Sequence, residues 1–166
     1  MENIIIQQPQ PFDLVDNTIM ISGIGTGFKG TLTIHIGDGD YKIDEYAQVG
    51  AYSLKQFQAK VTIPENIEFK LDKISLIVRD NSAKNNKVHV PTIVIPLIYA
   101  PNILPDYSGF WLHKVDKNET LATLAKKYYQ DKNKWEVIYR SNIDRISNPD
   151  TIYPGQILRI PKNEEF

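Results

Sequence analysis

Two small domains in series are predicted: an all-β antiparallel sandwich at residues 1–100, then an α+β domain of order βααβ at residues 111–162. Three observations predict this. From Ile4 to Tyr99 apolar and polar residues alternate, which is the strand period. Two prolines then mark a stiff linker at residues 101–110. Beyond it apolar residues recur at the helical spacing i, i+3, i+4, i+7. With 42% hydrophobic and 23% charged residues, the chain has apolar surface enough for a core in each part.

In the first part, Thr31-Leu32-Thr33-Ile34-His35-Ile36, Phe57 to Ile63 and Ile74 to Val78 each alternate and read as strands. Val90 to Leu97 is strand-like, and its prolines suit an edge or a strand end. Turn residues separate these runs at Gly37-Asp38-Gly39-Asp40, Pro64-Glu65-Asn66 and Asn85-Asn86. Short strands at regular spacing without a helical pattern point to a sandwich.

In the second part, a short strand from Leu112 to Val115 precedes two helices. Leu121, Leu124, Ala125 and Tyr128 form the core stripe of the first, and Trp135, Ile138, Tyr139 and Asn142 that of the second. Asn133 with Glu136 resembles a capping box at the start of the second helix. Pro154-Gly155 turns the chain into a last strand, Gln156 to Ile160, which Pro161 closes.

A formal charge of −1 argues against a nucleic-acid partner. Residues 1–106 carry nine Lys/Arg against twelve Asp/Glu, and residues 107–166 ten against eight, a slight lean of the second part toward acidic polymers. The absence of cysteine excludes disulfides and thiolate metal sites. No apolar run approaches the roughly twenty residues of a membrane span, and Met1 to Pro9 lacks the pattern of a secretory signal. The expected location is therefore cytoplasmic, or wall- or spore-associated by another route, if Met1 is the native start.

Several chemical motifs have plainer readings. Gly25-Thr26-Gly27-Phe28-Lys29-Gly30 fits G-x-G-x-x-G, but a strand pattern follows it where a dinucleotide site requires a helix. Asp38, Asp40, Asp44 and Glu45 hint at calcium, but Ile43 and Val49 stand where an EF-hand needs Gly and Glu. His35, His89 and His113 lack metal-ligand spacing, and no nucleophile motif is present. No catalytic residue, metal or cofactor is expected.

The second part resembles the LysM family. His113-Lys114-Val115-Asp116-Lys117-Asn118-Glu119-Thr120-Leu121 is similar to its opening, although Asn118-Glu119 stands where Gly-Asp is usual. Leu124 to Tyr129 and Trp135 to Asn142 are similar to its two helices, and Asn148 to Pro161 to its ending. The resemblance implies a non-catalytic module that binds N-acetylglucosamine polymers, peptidoglycan or chitin, between two loops. Carried onto this chain, the site residues are Asn118, Glu119, Thr120 and Leu121, with Asn148, Pro149, Asp150, Thr151 and Ile152. Each also has a structural reading: Thr120 as a helix N-cap, Leu121 as core, Asn148-Pro149-Asp150 as a turn.

Around Ile21-Ser22-Gly23, Phe28-Lys29-Gly30 and Asp80 to Lys84 leading to Ile93-Val94-Ile95-Pro96, the first part resembles the immunoglobulin-like domain of bacterial spore-germination proteins. That implies an all-β sandwich that serves as an interaction or spacer module, an adapter with another protein as its candidate partner. Two settings are expected, a cell-envelope protein tied to sporulation or a structural part of a phage tail or contractile injection machine.

Overall fold

A computed structural model of the chain describes residues 4–80 and 91–163. They divide into two compact units, the first ending at Ile98 and the second beginning at Tyr99.

Unit 1 is built from eight strands: β1 (Ile4–Gln8), β2 (Leu14–Val15), β3 (Thr18–Gly25), β4 (Thr31–Gly37), β5 (Lys42–Gln48), β6 (Lys55–Thr62), β7 (Lys73–Asp80) and β8 (Thr92–Tyr99). They form two sheets, of order β1-β3-β6 and β2-β8-β7-β4-β5, in which the five registered pairings are antiparallel. The alternation has its expected outcome. Ile19 and Ile21 on β3, Phe57, Ala59 and Val61 on β6, and Ile74, Leu76 and Val78 on β7 are buried, with mostly exposed or half-buried residues between. On β4 burial does not alternate: Thr33 and His35 are buried as well as Leu32, Ile34 and Ile36.

Two differences from the sequence reading have physical causes. Asp44 and Glu45 lie in β5, where no strand was expected, because a sheet-edge strand whose residues are mostly exposed carries little alternation. Pro96 lies within β8, which has β7 on one side and only the two-residue β2 on the other. The segment Gly25 to Gly30 leads into β4 as expected, through a tight turn with Lys29 at φ 57° and Gly30 at φ 73°. The turn at Asn85-Asn86, His89 and the Asn81 to Lys84 part of the resemblance lie outside the described residues.

Unit 2 contains β9 (Tyr107–Lys114), α1 (Leu121–Tyr129), α2 (Trp135–Arg140) and β10 (Ile157–Asn163), the βααβ order expected. β9 and β10 pair antiparallel, with Leu158 opposite His113 and Ile160 opposite Trp111. The core joins Val115, Leu121, Leu124, Ala125, Tyr129, Ile138, Ile146, Leu158 and Ile160.

Residues 101–110 are not a linker. Ala100–Asn102 form a 3-10 turn, Ile103 and Leu104 are buried, and β9 already begins at Tyr107. Side chains of unit 2 hold the segment: Arg140 donates to the Asn102 carbonyl at 3.0 Å and Asn163 to that of Pro105 at 3.1 Å. Pro161 does not end the last strand either. It sits opposite Phe110 inside β10, where β9 is the strand's one partner, and its carbonyl accepts from Tyr129 Oη at 2.8 Å. That bond accompanies a change on α1. Tyr129 is the fully buried tyrosine, its hydroxyl pushed up in pKa by burial, whereas Tyr128 is half-buried. The capping box at Asn133 and Glu136 is absent: Asp131 accepts from the Asn133 N–H and starts a 3-10 turn that runs into α2.

Candidate functional site

Chain geometry around two loops creates a groove in unit 2. The first loop joins β9 to α1. Asn118 adopts φ 69°, a left-handed conformation that Asn tolerates better than most residues, so the turn survives without glycine. Thr120 caps α1, with its Oγ1 accepting from the Thr123 N–H at 3.2 Å and the Thr123 Oγ1 accepting from the Thr120 N–H at 2.8 Å. The reciprocal pair satisfies two amides that the first turn of a helix leaves without partners.

Glu119 uses the extra methylene that distinguishes it from Asp. Its Oε2 accepts from the Asp116 N–H at 2.8 Å and from His113 Nε2–H at 2.6 Å, and Lys127 lies 3.5 Å from Oε1. Because the carboxylate accepts at Nε2, Nδ1 of His113 is left to accept from the Tyr128 hydroxyl at 3.0 Å. Tyr128 in turn stacks on Trp111 with ring centroids 5.6 Å apart. Desolvation raises the Glu119 pKa, but the Asp116 amide, His113 and Lys127 together outweigh it and hold the carboxyl below its ordinary value. The carboxylate therefore fastens the loop to β9 and α1, and the buried histidine is a satisfied structural group.

The second loop is shaped by its own backbone. Asn148 Oδ1 accepts from the Asp150 N–H and the Asn148 carbonyl from the Thr151 N–H, each at 3.0 Å. Below it, Asn142 is fully buried and fully used. Its amide donates to the carbonyls of Ile138 and Arg159, both at 2.7 Å, and its Oδ1 accepts from the Arg159 N–H at 2.8 Å. Arg159, also buried, makes a two-pronged pair with Asp144 at 2.9 and 3.2 Å.

Between the loops lies a groove of about 330 Å³ lined by Glu119, Thr120, Leu121, Ala122, Trp135, Pro149, Asp150, Thr151 and Ile152. The geometry thus brings together seven of the nine residues expected at the site. Asn118 and Asn148 do not line it; one supplies the turn and the other spends its side chain on the loop. Leu121 serves both core and groove, being buried in the cluster while lining the opening. Ala122 and Trp135 were not foreseen. Trp135 belongs to the core stripe that the sequence predicts for α2. It does pack on the core, and its remaining surface forms part of the groove. The lining mixes apolar side chains with the hydroxyls of Thr120 and Thr151 and the carboxylates of Glu119 and Asp150, and it suits a ligand that offers hydrogen-bonding groups beside an apolar face. Tyr153, beside the second loop, is 66% exposed and not part of the lining.

Residues 113–161 match the family model of the LysM domain. The LysM domain is a binding domain, not a catalytic one, and it supports recognition of N-acetylglucosamine-containing glycans. Over 50 residues the chain is 38% identical to the potassium binding protein Kbp of Escherichia coli, covering 30% of this chain and 34% of that protein. Over 54 residues it is 41% identical to an uncharacterized protein of Deinococcus radiodurans, covering 32% of this chain and 21% of that one. The chain thus spans about a third and about a fifth of the lengths of these relatives. No solved structure matches.

The acidic residues that hint at calcium in the sequence have partners. Asp38 accepts from the amides of Asp40, Tyr41 and Lys70, Asp40 pairs with Lys70, and Asp44 with His35 and Lys42. Among the described residues no group of three or more His, Cys, Asp or Glu side chains is arranged to hold a metal, and no helix is long and apolar enough to cross a membrane.

Proposed function

We propose that the protein is a non-catalytic carbohydrate-binding module that holds N-acetylglucosamine polymers, peptidoglycan and by the same chemistry chitin, in the groove of unit 2. The observation that carries this reading is the convergence of two loops, 119–122 and 149–152, on one groove within the residues that match LysM. An N-acetylglucosamine unit offers an amide and hydroxyls to the loop backbones, while its methyl and ring face suit Leu121, Trp135 and Ile152. One groove of this size binds weakly, so retention on a polymer calls for several copies or a second contact.

Unit 1 we read as an immunoglobulin-like sandwich that adapts the LysM domain to another protein. Strand order supports this. The sheets β1-β3-β6 and β8-β7-β4-β5 follow the A-B-E and G-F-C-C′ order of that fold, with β2 added beside β8. For the biological setting, the cell envelope with a link to sporulation is our first reading and a phage tail or injection baseplate the second.

The test is a pull-down of the full chain on purified peptidoglycan and chitin, run with and without potassium because one relative is named for binding it. Ala122→Phe fills the groove from an outward position on α1 and should abolish retention while leaving the fold intact. Equal retention of the wild type and Ala122→Phe, or none of either, would reject the groove. Co-purification with a large assembly would favour the baseplate setting.

A further inference from the structure

We propose that unit 1 carries a second binding site, on the outer face of its five-stranded sheet, for a small carboxylate-bearing ligand received by His35 and Arg79. His35 on β4 stands opposite Asp44 on β5 and Ile77 on β7, and the next rows of the ladder bring Lys42 and Arg79 to its diagonals. Diagonal neighbours lie about 7–8 Å apart, within reach of long side chains. Gly37, in the row of Lys42 and Ser75, has no side chain. A depression of about 350 Å³ opens there, lined among others by His35, Tyr41, Lys42, Ser75, Ile77 and Arg79.

The second observation is the state of the imidazole. His35 is 5% exposed, and its Nε2 is the buried side-chain polar atom left without a hydrogen-bond partner among the described residues. Buried polar groups in folded proteins are nearly always paired, so an orphan beside a cavity calls for a partner. Nδ1 is committed: the Asp44 carboxylate accepts from it, and that bond, with Lys42 behind it, keeps the Asp44 carboxyl below its ordinary pKa against a smaller desolvation effect.

Charge selects the ligand class. The groups facing His35 are Asp44, Lys42 and Tyr46 from β5, Arg79 from β7, and Asp38 and Tyr41 from the turn between β4 and β5. Asp38 spends its oxygens on three backbone amides, and Lys42 shares Asp44. Arg79 is exposed and pairs with no carboxylate among the described residues. With Nδ1–H given to Asp44, Nε2 can donate only when it too carries a proton. In that form the ring and the Arg79 guanidinium can each donate to one oxygen of a carboxylate, a charge-assisted arrangement that a neutral amide does not reproduce. A metal ion would find one imidazole where it needs three or four ligands. Nε2 is closed to water, so entry must part the side chains over it and the ring itself reports occupancy.

The test is side-chain NMR of the three histidines in the ¹⁵N-labelled full chain, titrated at constant ionic strength with acetate, N-acetylalanine, acetamide and inorganic phosphate. Acetate and N-acetylalanine are expected to shift the His35 nitrogens and not those of His113. Stronger binding of N-acetylalanine would identify a peptide C-terminus as the source, and stronger binding of acetate a free short acid. Binding should tighten from pH 8 to pH 6, because the anion favours the protonated ring. Arg79→Gln, an exposed change that spares the sheet, should weaken it about tenfold. An equal response to acetamide, a preference for phosphate, no pH dependence, or no response at His35 would each overturn the proposal.

Discussion

Asn142 offers the sharpest quantitative test of how unit 2 is held together. Asn142→Ala removes three buried hydrogen bonds, one back to the Ile138 carbonyl in α2 and two to the Arg159 backbone in β10. At about 1 kcal/mol net for each bond, the loss is about 3 kcal/mol, more if the Arg159 N–H is left without a partner. A unit of roughly 70 residues has a total stability of about 3–10 kcal/mol, so the variant should sit near the edge of folding. The assay is built into the chain: both tryptophans, Trp111 and Trp135, belong to unit 2, so their fluorescence follows its unfolding without a contribution from unit 1. With a urea slope of about 2 kcal/mol/M, the midpoint should fall by about 1.5 M while the slope holds. Ser141→Ala, which removes a single bond to the Val137 carbonyl at the same depth, should cost about 1 kcal/mol or less. A midpoint shift for Asn142→Ala no larger than that of Ser141→Ala would refute the assignment of Asn142 as the staple between helix and strand.

Three further outcomes are expected. Glu119 has its folded-state pKa depressed, so its contribution is fully present above the unfolded value near 4.5 and is lost as pH falls through the lower folded value; Glu119→Gln should flatten the acid limb of the tryptophan-monitored stability curve. Arg159→Met leaves Asp144 without its two-pronged partner and should cost about 3 kcal/mol, with Asp144→Asn in the same chain recovering part of it in a double-mutant cycle. Asn118→Val forces a β-branched residue to φ 69° and should lower unit 2 stability by about 1–2 kcal/mol, whereas Asn118→Gly should be neutral or better in the same urea titration.

The periodic parts of the molecule were legible because periodicity records one-sided burial. Leu121, Leu124 and Ala125 announce the inner face of α1, and the alternation of Phe57, Ala59 and Val61 announces that of β6. β5 was missed because an edge strand exposed along most of its length has no buried face to record. Residues 101–110 misled because prolines signal local stiffness and say nothing of tertiary contacts such as the Arg140 bond to Asn102. At the groove, seven lining residues were legible through the LysM resemblance of the two loops. Trp135 was not, because a residue at the rim of a core carries the same helical spacing as one at its centre. The buried pair of Arg159 with Asp144 and the unpartnered His35 nitrogen depend on which strands become neighbours, and no local pattern encodes that.

Leu121 links the two properties of unit 2 because it belongs to both the core and the groove. A sugar seated on it would cover core side chains at the point where α1 begins, next to the cap at Thr120. Occupancy should therefore stabilise unit 2 as a whole, by about 2.7 kcal/mol at a ligand concentration one hundred times the dissociation constant. The same coupling separates two classes of variant. Ala122→Phe blocks the groove without removing core, so it should abolish ligand-induced stabilisation from an unchanged baseline. Leu121→Ala removes core as well and should lower the baseline by about 2–5 kcal/mol before any ligand is added. A chitin oligomer that raised the urea midpoint of Ala122→Phe as much as that of the wild type would place its binding outside the groove.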